Sequence, residues 1–348
     1  MKHISLLILT LASLSACHIE DRKERISELM TALYKRGDFN GTILMAEEGK
    51  IYYDTALGFS NLITKEPLSD SSSFYLASVS KQFTAMAIMI LKEQNKLSYD
   101  DTLTKYFPEF PAYANKITIR HLLTHTSGLT DYLSMDKFYK PDLTNEDVLN
   151  ALIMQKKLNF YPGDKFSYSN SGYVMLAMIV ERVSGKPFNV FMKEFIFEPL
   201  GMKNTLVFDK SKPFIRNRAV GFNKNGDLDD YEILTAGDGG IYSTTHDLFL
   251  WDQSLYHNKL VDSSTISEAF HETKLNNGSL SNYGFGWAIV KNANNKIVHH
   301  GGAMNGYRTA IYRDMENQYC IIILTNKGDA TNVEAITRRI LQILRDSY

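Results

Sequence analysis

Ser78-Val79-Ser80-Lys81 is the segment whose residue types and spacing can do chemistry. It runs straight into Gln82-Phe83-Thr84-Ala85-Met86-Ala87-Ile88-Met89, an apolar stretch that reads as the start of a buried helix. A lysine three residues after a serine lies one turn above it on the same helix face. The first turn of a helix also offers unpaired backbone N–H groups and a positive dipole end, both suited to developing negative charge. A neutral lysine amine there can take the serine proton, and an ammonium can hold the proton network in place. The apolar helix behind the pair would desolvate the amine and ease the base role.

The spacing alone decides little, because Ser134-Met135-Asp136-Lys137 repeats it in polar, irregular surroundings. Tyr-x-Asn, a second arrangement able to move protons and bind amides, occurs at Tyr113, Tyr168 and Tyr256. No Gly-x-Ser-x-Gly elbow or phosphate-binding loop is present. His121 and His125 stand four apart, as in a zinc-binding helix, but Leu122 occupies the position of the required Glu. They read as structural, and no metal is expected.

In order along the chain, the motifs resemble the serine β-lactamase and penicillin-binding-protein superfamily. The similar branch holds class C β-lactamases, D-alanyl-D-alanine carboxypeptidases and related esterases. Ser78-Val79-Ser80-Lys81 matches its first motif, and Tyr168-Ser169-Asn170 its second. His121-Leu122-Leu123-Thr124-His125-Thr126-Ser127-Gly128-Leu129, Pro199-Leu200-Gly201-Met202 and Gly239-Gly240-Ile241-Tyr242-Ser243-Thr244 are similar to further hallmarks. The third motif, often Lys-Thr-Gly, is here His300-Gly301-Gly302.

The resemblance implies a serine hydrolase working through an acyl-enzyme on a small-molecule or peptide ester, amide or lactam, with no cofactor. It casts Ser78 as nucleophile and Lys81 and Tyr168 as proton handlers. Asn170 would hold substrate or Lys81, and His300 would orient or polarise the leaving side. Gly301 and Gly302 would let the backbone approach the substrate, and the N–H groups of Ser78 and Ala303 would form the oxyanion hole. A histidine is mostly neutral near pH 7, its ordinary pKa being about 6.5. A substrate carboxylate would then lack a fixed positive partner, unless Arg308 supplies one. Esterase or D-peptidase activity is therefore expected ahead of β-lactamase activity. The competing reading is a catalytically inactive module that binds or senses cell-wall fragments.

Something must position these groups. Residues 20–36 carry Ile26, Leu29, Met30, Leu33 and Tyr34 on one helical stripe, followed by a hairpin pattern over 42–54. β signals return only at 286–290, 296–299, 309–312 and 319–324, before a final helix at roughly 331–345. This order predicts an α/β (α+β) fold. Its antiparallel sheet is built from both chain ends and flanked by the terminal helices, with a mostly helical insertion over roughly 79–260.

Composition excludes other classes. With 38 basic and 39 acidic residues the chain offers no charge argument for nucleic acid. At the start, Met1-Lys2-His3 and the apolar run Ile4 to Leu14 read as an export signal over 1–16. Leu14-Ser15-Ala16-Cys17 resembles the lipobox of bacterial lipoproteins, which would make Cys17 a lipidated N-terminus and 17–24 a tether. The body, 25–348, would then be lipid-anchored on the outer side of a bacterial envelope membrane. Cys320, the other cysteine, sits in an apolar strand pattern and reads as a small buried residue.

Overall fold

The computed structural model describes residues 21–209, 214–230, 233–291 and 295–346. Apolar residues at successive positions of Gly41–Glu47 (β1) and Tyr319–Thr325 (β6) require cover on both faces, and the two strands pair side by side. Lys50–Leu57 (β2) flanks β1, while Ala288–Lys291 (β3), Lys296–Met304 (β4) and Tyr307–Asp314 (β5) extend the sheet beyond β6. The order is β3-β4-β5-β6-β1-β2, every pair antiparallel, so both chain ends build one sheet as expected.

Strand alternation divides the core. Ile43, Met45, Ile321 and Ile323 point to one face, where they meet Ile26 and Met30 of a helix over 21–35 (α1) and Ile336 and Ile340 of a later one. Leu44, Ala46, Ile322 and Leu324 point the other way, into a larger cluster with Phe83 and Ala87 of Lys81–Glu93 (α2). From Lys81 to Leu91 every α2 residue is buried, so this helix is enclosed on all sides and runs through the interior. Asn170–Ser184 (α3) packs against α2, with Ser169 capping its start and Gly185, at φ +69°, ending it. Val333–Asp346 (α4) closes the chain beside α1.

The structure differs from the expected pattern in the middle of the chain. Phe74–Tyr75, Ile241–Ser243 and Leu206–Val207 form a small antiparallel sheet with Ile241–Ser243 in the centre. Strands of two or three residues are too short to show a period of two. This sheet matters to the site: it ties the chain just before Ser78 to the loop just before Ile241.

Candidate active site

The nucleophile candidate stands at a sharp exit from that small sheet. Leu76 N–H donates to the Ile241 carbonyl at 2.8 Å, and Ala77 then takes φ +49°, a left-handed conformation unusual for a residue with a Cβ. Ser78 follows in the 3-10 turn Ala77–Ser80, which leads directly into α2. Gly302 of β4 presses on the same turn. A Cβ there would lie 2.2 Å from the Leu76 carbonyl oxygen, so no other residue fits. The close approach that Gly302 permits is thus to the chain itself, whereas Gly301 is exposed and has room around it.

Lys81 is the hub. Its side chain is 0 % exposed, and Nζ lies 3.0 Å from Ser78 Oγ, 2.8 Å from Asn170 Oδ1 and 2.8 Å from the Asp238 carbonyl oxygen. The last two partners can only accept, so they take two N–H bonds. The remaining direction of the nitrogen, a lone pair or a third N–H, faces the Ser78 hydroxyl. Once the serine proton has moved, the resulting ammonium has three acceptors for three N–H groups. The Tyr168 ring stands 4.9 Å from the same nitrogen, and among the described residues its hydroxyl has no hydrogen-bond partner. At 36 % exposure it faces the cleft.

Around this hub stand Asp131, Tyr132 and Asp238, which no motif spacing revealed, and His125, which lies in a quoted motif. Asp131 accepts from the Asn170 backbone N–H at 3.1 Å and from its Nδ2 at 3.2 Å. Tyr132 donates to Asp238 at 2.7 Å, and burial pushes the Asp238 carboxyl above its ordinary value, with Lys81 pulling the other way. His125 accepts from the Ser169 N–H at 3.1 Å through Nδ1, so Nε2 carries its proton. Its ring lies 4.2 Å from Tyr168 and 4.6 Å from Tyr283, centroid to centroid, bracing the tyrosine wall. Burial, with help from Lys81 and His300, holds His125 well below the ordinary histidine range. His121 instead caps a short helix together with Thr118, the structural part expected of it.

His300 lines the cleft with both ring nitrogens already engaged. The Gly301 carbonyl lies 2.7 Å from Nδ1, which therefore donates. The Tyr283 hydroxyl lies 2.8 Å from Nε2, which accepts from it. Burial, then the Lys81 charge, pulls the His300 pKa down to about 3. The ring is a neutral wall and presents no free nitrogen to a substrate. Arg308 is likewise committed: it donates to the carbonyls of Asn305 and Tyr307 and pairs with Asp329.

The backbone edge completes the site. β3 pairs with β4 only as far as His299, leaving His300 to Met304 unpaired on that side. The turn Asn305–Gly306 has two residues, making Met304 and Tyr307 the closing pair. By ladder alternation the Ala303 N–H then points to the open edge. The cleft of about 810 Å³ has Ser78, Tyr168, Asn170, Leu133 and this edge among its walls. Ser78, Lys81, Tyr168, Asn170, His300, Gly301, Gly302 and Ala303 thus converge on one region. The alternative Ser134-x-x-Lys137 does not join it. Ser134 Oγ bonds the Asp131 carbonyl, in an exposed turn. Cys17 lies outside the described residues.

The fold is that of the β-lactamase and penicillin-binding-protein class of serine hydrolases. The Beta-lactamase family model matches residues 26–345, and the chain belongs to that family of acyl-enzyme serine hydrolases. It is 35 % identical over 338 residues to penicillin-binding protein 4* of Bacillus subtilis, covering 90 % of this chain and 74 % of that one. The octameric penicillin-binding protein homologue of Pyrococcus abyssi superposes with a TM-score of 0.82 at 26 % identity, covering 93 % of this chain and 77 % of that one. The penicillin-binding protein of Bacillus halodurans gives 0.79, also at 26 %, covering 90 % and 98 %.

Proposed function

We propose that the protein hydrolyses an ester or a D-amino-acyl amide through an acyl-enzyme on Ser78, ahead of any β-lactamase activity. The observation that carries this reading is the three-acceptor cradle around Lys81 Nζ, two of whose members can only accept. In the proposed sequence Lys81 takes the Ser78 proton as Oγ attacks the acyl carbon. The N–H groups of Ser78 and Ala303 receive the developing oxyanion. Lys81 returns a proton to the leaving group, with the Tyr168 ring 4.9 Å from its nitrogen on the cleft wall. Water then cleaves the ester, regenerating Ser78.

The substrate preference follows from charge. His300 is neutral, and Arg308 is paired with Asp329, so neither stands ready for a carboxylate. Leu133, Tyr168 and Met304 offer apolar walls for an acyl group. We also propose export and lipid attachment at Cys17, on the strength of the Leu14-Ser15-Ala16-Cys17 sequence.

The test treats the purified protein with a fluorophosphonate and, separately, with benzylpenicillin, followed by intact mass and peptide mapping. A fluorophosphonate adduct on Ser78 is expected, with little or none from benzylpenicillin. Ser78→Ala should take no label and lose more than about 10³-fold in ester turnover. A folded wild type that takes neither reagent would favour a binding module; efficient penicillin acylation would reverse the substrate preference.

A further inference from the structure

The side-chain amide of Asn170 has two ends of similar outline and opposite chemistry, one accepting and one donating. The cradle works only with Oδ1 toward Lys81; reversed, the amide would set an N–H against the N–H groups of Lys81. Asn170 is buried, so a wrongly turned amide could not make up the loss with water. Nothing in Ser-x-x-Lys or Tyr-x-Asn fixes this choice.

Asp131 supplies a way to fix it. One carboxylate oxygen accepts from the Asn170 backbone N–H at 3.1 Å, the other from Nδ2 at 3.2 Å. The segment bearing Asp131 is itself pinned to the first turn of α3 on both sides. Ser171 Oγ donates to the Thr130 carbonyl at 2.8 Å, and the Tyr132 N–H donates to Ser171 Oγ at 2.9 Å. Asp131 therefore cannot drift from Asn170 without unpicking four bonds.

We infer that Asp131 is a positioning residue: its carboxylate holds the Asn170 amide in the one orientation that lets Lys81 serve Ser78. The inference rests on the hydrolase reading above and adds to it a residue that acts only through Asn170. Asp131→Asn keeps the shape but sets a donor against the Asn170 amide. Adding Asn170→Asp exchanges donor and acceptor, so that both the bond to position 131 and the bond to Lys81 can form again.

Two readouts test it on the purified protein. The first is the second-order rate of fluorophosphonate labelling at Ser78. Asp131→Asn should slow it by roughly 10²-fold, the scale on which a small misplacement of a catalytic group acts, and the double variant should recover most of the loss. A merely structural aspartate would not be rescued by Asn170→Asp. The second is ¹⁵N NMR of the Asn170 side-chain amide, assigned by its disappearance in Asn170→Asp. Its hydrogens should exchange slowly in the wild type and fast in Asp131→Asn, with melting temperatures recorded alongside. Labelling of Asp131→Asn at the wild-type rate, or an amide that stays protected in it, would overturn the inference. A wild type that takes no label would sink the hydrolase reading, and amide exchange alone would then decide the clamp. If Asp131→Asn unfolds, labelling of the double variant decides: near the wild-type rate supports the clamp, as slow as Asn170→Asp alone overturns it.

Discussion

At the scale of single residues, the site is a set of polar groups kept to fixed protonation roles by burial. His300 is the clearest case, since its pKa falls from an ordinary 6.5 to about 3. Between those values the unfolded chain binds a proton that the folded protein refuses, so stability rises with pH across the window. The contribution is complete above about pH 6.5 and is lost as pH falls toward 3; His125, shifted in the same direction, adds to it. Thermal unfolding of the wild type should therefore show a falling melting temperature on acidification from pH 7 to about 4. The His300→Gln variant should show a shallower slope. Because His300 stays neutral at ordinary pH, an acid limb in the kcat/KM profile near pH 6 should keep its position in that variant. A limb that moves or vanishes would make His300 the titrating group after all. The motif residues were legible in the sequence because each motif is local and has a fixed spacing. Asp131 and Asp238 were not, since their meaning comes from bonds to residues 39 and 157 positions away.

Elements decide where those residues stand. Three separate pieces meet at Ser78: the turn entering α2, the start of α3 and the open edge of β4. The contact between the turn and β4 leaves no room for a side chain at Gly302, while Gly301 beside it has space. Gly302→Val should therefore destabilise the fold by about 1–3 kcal/mol, the usual cost of overpacking, and slow labelling of Ser78 as the turn shifts. Gly301→Ala should stay within about 0.5 kcal/mol of wild type. Paired melting curves and labelling rates check both, and equal effects at the two glycines would refute the packing argument. The two terminal helices, α2 and the six strands were readable from periodicity or apolar runs, whereas α3 was not picked out within the helical middle. The small sheet that aligns Tyr75 with Tyr242 was not, because pairing two residues with three leaves no pattern along the chain.

On the scale of the whole molecule, the sheet separates the nucleophile from the entry of the chain. α2 and Ser78 lie on one face, whereas α1, the first described element, lies on the other. A tether running back to Cys17 would thus join the body behind the sheet, away from the catalytic helix. If Cys17 carries lipid, cells expressing the full chain should hold it in the membrane fraction, and Cys17→Ser should release it. Intact mass should then differ by the lipid. Equal partition of both forms would remove the anchor from the proposal.

The pairing of β1 with β6 also sets the order of events when the chain is made. β1 leaves the ribosome long before its partner, Tyr319–Thr325. Until then β1 is paired with β2 along one edge and has no partner along the other. Completion of the sheet must wait for Tyr319–Thr325, and such long-range strand pairing is slow. If the chain is exported as proposed, the segments that precede Tyr319–Thr325 can be threaded through a narrow pore before the sheet closes. The cleft beside Ser78 is likewise complete only once β4 has joined residues made more than a hundred positions earlier.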